Sequence, residues 1–508
     1  MSAAGYSRRA FGRSALHYIL GRISNALLAF LVFALVARHL PASQYALYVA
    51  AFACLELGLV IFGFGMEWVT AVYIPQMKLK GGGRALSRFI WQCAALQGGM
   101  LAGGALLMGS TASYLAGLLE LQDAAAVLRL YALVMLVEGV SRVFRDQLLS
   151  CLLQQGAAQI SQLARNLVML GFALQLSQQP GWANAQTLAW AELGAASLSL
   201  FCSLLALGYP LYLNRVEPAA DPGWQRPAWS RMLAAGRNAW LSNLANLSWG
   251  GQVVILLASR WMGPETTAAL GFARNLSEQV RRYMPMEFLF GVIRPMLIAR
   301  YTQDGDAHRL ALRGGLMYRA NLLFLLPLLA LVLARGGEVC AFLSNGRYED
   351  AQGLLLGWLL VLVFWAHHRV SDLLAHALGR SGITSRVSAF LLLTPLLLAT
   401  AAWQQSYLGM FAVLAAAELA YSLLVLRQLG IYRLNWKAMA MQFALLLPGV
   451  MVASLPWGGA GILWELLLSG MLVFGVILGG TWLLRAWSRE EAAVLPLERL
   501  FRWQERCR

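Results

Sequence analysis

The feature that most constrains this chain is the recurrence of apolar stretches of about 20 residues, the length at which a helix crosses a bilayer. They run from Leu16 to Leu484, broken by short loops whose Lys and Arg fall on alternate sides. About 14 such stretches fill the chain and leave no room for a sizeable soluble domain. The expected fold is an all-α polytopic membrane bundle, and its function must lie in what the bundle encloses.

Composition agrees. Of 508 residues, 59% are hydrophobic and 13% charged, where a soluble protein carries about a quarter charged. The net charge of +16 is not a nucleic-acid signal. The basic residues collect in loops on one side, as orientation in a membrane requires, and no basic patch is interleaved with exposed aromatics. The six cysteines, Cys54, Cys93, Cys151, Cys202, Cys340 and Cys507, form no CxxC pair, so neither a zinc site nor a disulfide framework is indicated. No metal or cofactor is expected. Ser7-Arg8-Arg9-Ala10-Phe11 has the look of a twin-arginine signal, but the apolar run that follows reaches Arg38 and is too long for one. Arg8, Arg9 and Arg13 are read as cytoplasmic anchors of the first span.

The spans fall at about 15–37, 45–69, 89–109, 125–149, 158–176 and 187–209. A Pro-rich polar segment follows, with Arg215, Arg226, Arg231 and Arg237 among Pro218, Pro222 and Pro227; such a segment does not continue a helix. Further spans fall at about 238–259, 267–290, 314–334, 351–377, 387–404 and 408–426, with two more at 438–455 and 462–485. The division expected is a six-helix lobe over 1–213, a cytoplasmic linker over 214–237, a second lobe over 238–426, and two extra helices with a basic tail over 427–508. Lys78, Lys80, Arg84 and Arg88, then Arg294, Arg300, Arg309, Arg313, Arg380, Arg386, Arg427, Arg433 and Lys437, place their loops in the cytoplasm. The outward loops hold few basic residues, mainly Arg38, Arg260, Arg335 and Arg347. Both termini are therefore expected in the cytoplasm. Trp68, Trp182, Trp261, Trp403 and Trp457 lie near span ends, as an interfacial belt requires.

The halves echo one another. Arg38-His-Leu-Pro41 with Tyr45-Ala46-Leu47-Tyr48 after span one matches Arg260-Trp-Met-Gly-Pro264 with Ala269-Leu270-Gly271-Phe272 after span seven. Asp146-Gln-Leu-Leu149 and Gly156 match Asp372-Leu-Leu-Ala375 and Gly382. Six spans return the chain to its starting side, so a six-helix unit is repeated in one orientation, a plan common in transporters.

These segments resemble the polysaccharide or O-antigen flippases of the multidrug/oligosaccharidyl-lipid/polysaccharide exporter superfamily. The resemblance rests on R-x-L-P-x-x-x-Y-x-x-Y after the first span, Gly263-Pro264 leading to Ala273, Phe342-Leu-Ser-Asn-Gly346-Arg-Tyr348-Glu-Asp-Ala351, and Leu378-Gly-Arg380. Ala46 departs from the glycine usual after that tyrosine. The resemblance implies a flippase of undecaprenyl-pyrophosphate-linked oligosaccharide in the bacterial inner membrane. It works by alternating access, without enzymatic chemistry. The implied partners are that lipid-linked glycan, membrane lipids, and a polysaccharide polymerase and chain-length regulator. The alternatives are an ion-coupled drug exporter of the same superfamily and a membrane component of a polysaccharide polymerase or secretion complex.

Charges within spans mark the candidate sites, because a charged side chain at the membrane centre costs roughly 2.5–3.5 kcal/mol even on permissive scales. Span one holds Arg22 and Asn25, and span two Glu56. Span four holds Glu138, Arg142, Arg145 and Asp146, and span five Arg165 and Asn166. Span seven holds Asn243 and Asn246, and span eight Arg274, Glu278, Arg281 and Arg282. Spans four and eight thus each present a polar stripe at offsets 0, 4, 7 and 8, on one helical face. Arg22 and Arg274 lie about 9–11 Å inside their spans, and arginine's planar fork suits phosphate oxygens. Arg22, Arg274 and Arg281, with Asn25, Asn246 and Arg165, are the expected anion-site residues of a cationic cavity. Span ten aligns His368, Asp372 and His376, which with Glu138 are the candidates for ion coupling. The bland readings are structural ion pairs in span four and a packing pair of Asp372 with Arg369 or Arg380. No hydrolytic constellation is present, and no external loop is as large as lipid-linked glycan polymerases would be expected to show.

Overall fold

The computed structural model describes residues 8–121, 124–213, 226–288, 305–431, 435–456 and 461–484, with Leu297 and Tyr301. The linker residues 214–225, Arg294, Arg300, Arg433, Trp457 and the basic tail lie outside the described residues, as do the side chains of Arg8, Arg9 and Arg13. All regular structure among the described residues is helical.

The helices are α1 (Arg8–His39), α2 (Ala42–Ile61), α3 (Met66–Lys80), α4 (Gly83–Ser110), α5 (Ala112–Leu119), α6 (Ala124–Arg142), α7 (Gln155–Gln178), α8 (Ala185–Leu213), α9 (Trp229–Leu247), α10 (Gly251–Trp261) and α11 (Gly263–Tyr283). Then come α12 (Ala307–Ser344), α13 (Gln352–Ala377), α14 (Ser381–Phe390), α15 (Thr394–Trp403), α16 (Tyr407–Leu429), α17 (Trp436–Ala444), α18 (Leu446–Ala453) and α19 (Ile462–Leu483).

Eleven stretches among the described residues are long and apolar enough to cross a membrane, and α9 with α10, bent by 42°, makes a twelfth. The expected fifth and eighth spans are present as α7 (24 residues) and α11 (21 residues), but neither is apolar enough to count. Gln159, Gln162, Arg165 and Asn166 dilute the first; Arg274, Asn275, Glu278, Arg281 and Arg282 dilute the second. Both helices carry candidate site residues, Arg165 on α7 and Arg274 and Arg281 on α11.

The structure differs from the sequence reading at several points, the break of the expected seventh span between α9 and α10 among them. The second span stops at Ile61 and the chain turns through Phe64 and Gly65, both at positive φ (46° and 68°), before α3. The Gly65 turn lies so close to the Gly236 backbone that a Cβ there would sit 2.0 Å from a carbonyl oxygen. The fourth span continues past Arg142 as one i→i+5 turn, Val143–Leu149. Glu349 to Ala351, expected at the edge of a span, form a single 3-10 turn. Arg335, expected in an outward loop, is a kink inside α12, with φ −134° and ψ 25°. It is held there by Glu338 at 2.6 Å, Glu465 at 2.8 Å and Ser469 at 3.1 Å. That grip fastens α19 to α12.

The chain forms two compact units, Met1–Gly271 and Phe272–Arg508. In the first, α6 packs on α4, α8 and α2, α7 on α1 and α8, and α10 on α2. In the second, α13 packs on α12 and α16, α15 on α16, and both α18 and α19 on α12. The order α4–α6–α8–α7 in one unit recurs as α12–α13–α16–α15 in the other.

Small polar residues join the helices of the first unit. Buried Ser141, Ser161, Ser199 and Ser203 hydrogen-bond to one another at 2.7–3.0 Å across α6, α7 and α8. In hydrocarbon such hydrogen bonds and close small-residue contacts replace the hydrophobic drive between helices. Along α6 one apolar cluster ends at Met135 and another begins at Val143. Glu138, Ser141 and Arg142 form a polar layer between them.

Candidate functional site

The polar layer of the first unit is a charge network. Glu138, 3% exposed, accepts from Arg142 Nε at 2.9 Å and from Arg165 Nε at 3.1 Å, with Arg145 at 3.7 Å. Arg142 reaches across to Glu56 at 2.8 Å through a second nitrogen. The i→i+5 turn places the next two residues differently. Arg145 is buried and donates to Ser199 at 3.1 Å and to Asp146 at 2.9 and 3.0 Å. The Asp146 side chain is 56% exposed. Three arginines and three carboxylates thus neutralise one another, as buried charges must. Arg142 and Arg145 are both members of the network.

Arg165 and Glu138, assigned on sequence to different roles, are brought together. Asn25 is engaged in a helix clamp. Its amide donates to Gln159 Oε1 at 2.9 Å and accepts from Asn166 at 3.0 Å, locking α1 onto α7. One turn away, Arg22 donates to the Tyr18 hydroxyl and lies over its ring at 5.5 Å. Asn246 is half-buried on α9.

In the second unit, α11 carries three arginines to one glutamate over Arg274–Arg282. Arg281 pairs with Glu278 at 2.7 Å and stacks over Trp365 at 5.0 Å. Arg274 is buried, 6% exposed, within electrostatic reach of Glu278.

Span ten holds a second cluster. His368 Nδ1 meets Glu418 at 2.5 Å, its Nε2 lies 3.5 Å from Asp372, and its ring stacks on Tyr421. The Tyr421 hydroxyl donates to Asp372. His376 turns instead to the backbone carbonyl of Asp372 at 2.8 Å. The cluster is one imidazole between two carboxylates, rather than a carboxylate between imidazoles. Arg369, one of the two arginines expected beside Asp372, binds Glu287 at 2.7 Å, and Asp372 is engaged by His368 and Tyr421. Asp146 and Asp372, equivalent by repeat, therefore sit in unlike surroundings, one open and one enclosed.

Three buried ionisable residues escaped the sequence reading: Glu192 on α8, Glu418 on α16 and Arg319 on α12, the last 1% exposed. Each is a charge inside an apolar run, the signal applied elsewhere. No group of three or more His, Cys, Asp or Glu suited to a metal ion occurs among the described residues.

Fold and sites together define a multi-span helical membrane protein with an arginine–carboxylate cluster in the first unit and a histidine–carboxylate cluster in the second. Three solved structures share its fold. The lipid II flippase MurJ, in an inward closed conformation, superposes with TM-score 0.66 at 12% identity, covering 91% of this chain and 98% of that one. An inward-facing multidrug resistance MATE family transporter of the MOP superfamily gives 0.57 at 14%, covering 85% and 99%. A MATE protein in complex with MaL6 gives 0.52 at 13%, covering 86% and 97%. No curated protein matches the chain. The family model described as polysaccharide biosynthesis protein matches residues 11–277, and the chain belongs to that family.

Proposed function

We propose that this protein is a flippase that moves undecaprenyl-pyrophosphate-linked oligosaccharide across the bacterial inner membrane by alternating access, with both termini in the cytoplasm. The lobe, linker and tail division at 213, 237 and 426 belongs to the same reading, although α9 already begins at Trp229 and the first compact unit runs to Gly271. The observation that carries it is the positive excess on α11. Three arginines to one glutamate over Arg274–Arg282 suit a ligand with clustered negative charge, and a pyrophosphate is such a ligand. Guanidinium groups bind phosphate oxygens in pairs with fixed geometry. We assign head-group binding to Arg274 and Arg22, with Arg281 next, and Asn246, Asn25 and Arg165 as outlying members. Membrane lipids, a polymerase and a chain-length regulator complete the set of partners.

A drug exporter handling organic cations would need acids to receive them. Here Glu56 and Glu138 are taken by Arg142 and Arg165, which argues against that reading.

The test is export of lipid-linked glycan in cells and flipping in proteoliposomes. Arg274→Ala and Arg22→Ala should each abolish export while inserting normally. Lysine at either site should restore only part, since it cannot make the paired contact. Parental export by both alanine variants at normal expression would place the head-group site elsewhere.

A further inference from the structure

Glu192 takes no part in the pairings of the first unit, yet it is buried beside them, 3% exposed. Its Oε2 has no hydrogen-bond partner among the described residues, and neither does the fully buried hydroxyl of Tyr131. The groups that face Glu192 are Tyr131, Glu138 and Arg142 from α6, Tyr48 from α2 and Arg165 from α7. Arg145, beyond them, is held by Ser199 and Asp146.

Charge balance points the same way. Glu56, Glu138 and Asp146 each have an arginine nitrogen within 2.9 Å. Glu192 is buried with no arginine at ion-pair distance among the described residues, and an ionised carboxylate without a counter-charge is strongly disfavoured in a buried site. A proton removes the surplus charge.

We propose that Glu192, with Tyr131 and Tyr48, is a proton-binding site of the first unit. The site is separate from the His368 cluster and does not depend on which solute is carried. Loss of the proton would leave a second carboxylate competing with Glu138 for Arg165. Proton release then favours an arrangement in which Arg165 turns from one glutamate toward the other. Such a two-state element can couple proton binding to conformation when the two arrangements differ in proton affinity.

The test uses the purified full-length protein and dicyclohexylcarbodiimide, an apolar reagent that modifies protonated carboxyls in apolar surroundings. Peptide mass spectrometry locates the adduct. Glu192 should be modified at neutral pH, and the adduct should fall to background as the solution is made alkaline. Arginine-paired Glu138 should stay unmodified as the internal control. Replacing choline chloride by sodium chloride should leave the yield unchanged. An independent reading is the infrared carbonyl band of a protonated carboxyl, present in the parental protein and lost in the Glu192→Gln variant. Two results overturn the proposal: an unmodified Glu192 at every pH while another membrane carboxyl reacts, or protection by sodium, which would make this a sodium site. Both readouts report proton occupancy, so they stand whether or not the glycan reading holds.

Discussion

Glu138 stands within 3.7 Å of three guanidinium groups, so removing it leaves three buried cations short of a counter-charge. Breaking a buried pair from one side costs about 3–5 kcal/mol. Glu138→Ala should therefore lower the Tm of the purified protein sharply. Asp146→Ala should cost much less, about 1 kcal/mol or under, because that carboxylate is more than half exposed. Equal losses from the two variants would mean that the polar layer does not bear on stability. The offsets 0, 4, 7 and 8 revealed the stripe on span four. They did not reveal that the i→i+5 turn sends Arg145 inward and Asp146 outward, because a period of 3.6 assumes a regular helix.

At the scale of the element, α13 offers a paired test. Gly353 and Gly357 lie one turn apart on the same helix. A Cβ at Gly357 would fall 2.4 Å from the Phe411 ring on α16, whereas one at Gly353 meets nothing within 4 Å. Gly357→Ala should push α13 from α16 and destabilise by about 1–3 kcal/mol. Gly353→Ala should be neutral or stabilise by up to about 1 kcal/mol through helix propensity. Thermal melting in detergent separates them, and a reversed order would show that α13 and α16 do not pack closely. The interruption between α2 and α3 belongs to the same scale. Apolar residues run unbroken through it, and only the positive φ angles of Phe64 and Gly65 reveal a turn.

At the scale of the whole molecule, two measurements bear on orientation and energy. With the native cysteines replaced, single cysteines within 177–186 should react with an impermeant maleimide in intact cells. Those within 78–88 should react only after permeabilisation, as the charge asymmetry requires. Labelling of 78–88 in intact cells would invert the orientation. For energy, flipping in proteoliposomes should respond to an imposed pH gradient. Asp372→Asn should abolish that response while leaving gradient-independent exchange, because it removes one of the two carboxylates around His368. A parental protein indifferent to the gradient removes span ten from the mechanism.

The sequence by itself determined the class of fold, the approximate place of most spans and the family, because span length and motif order are local along the chain. It also located most of the buried charges, since a charge in an apolar run stands out without any neighbour being known. Pairing was decided only in the tertiary structure. Glu138 with Arg165 joins residues 27 apart, Asn25 with Gln159 residues 134 apart, and His368 with Glu418 residues 50 apart. No periodicity encodes which helices lie side by side, and a buried charge has no fixed role until its neighbours are set. That is why Arg165 and Asn25, read alike from sequence as contacts for an anion, have unlike surroundings, one an arm of a charge network and the other half of a helix clamp.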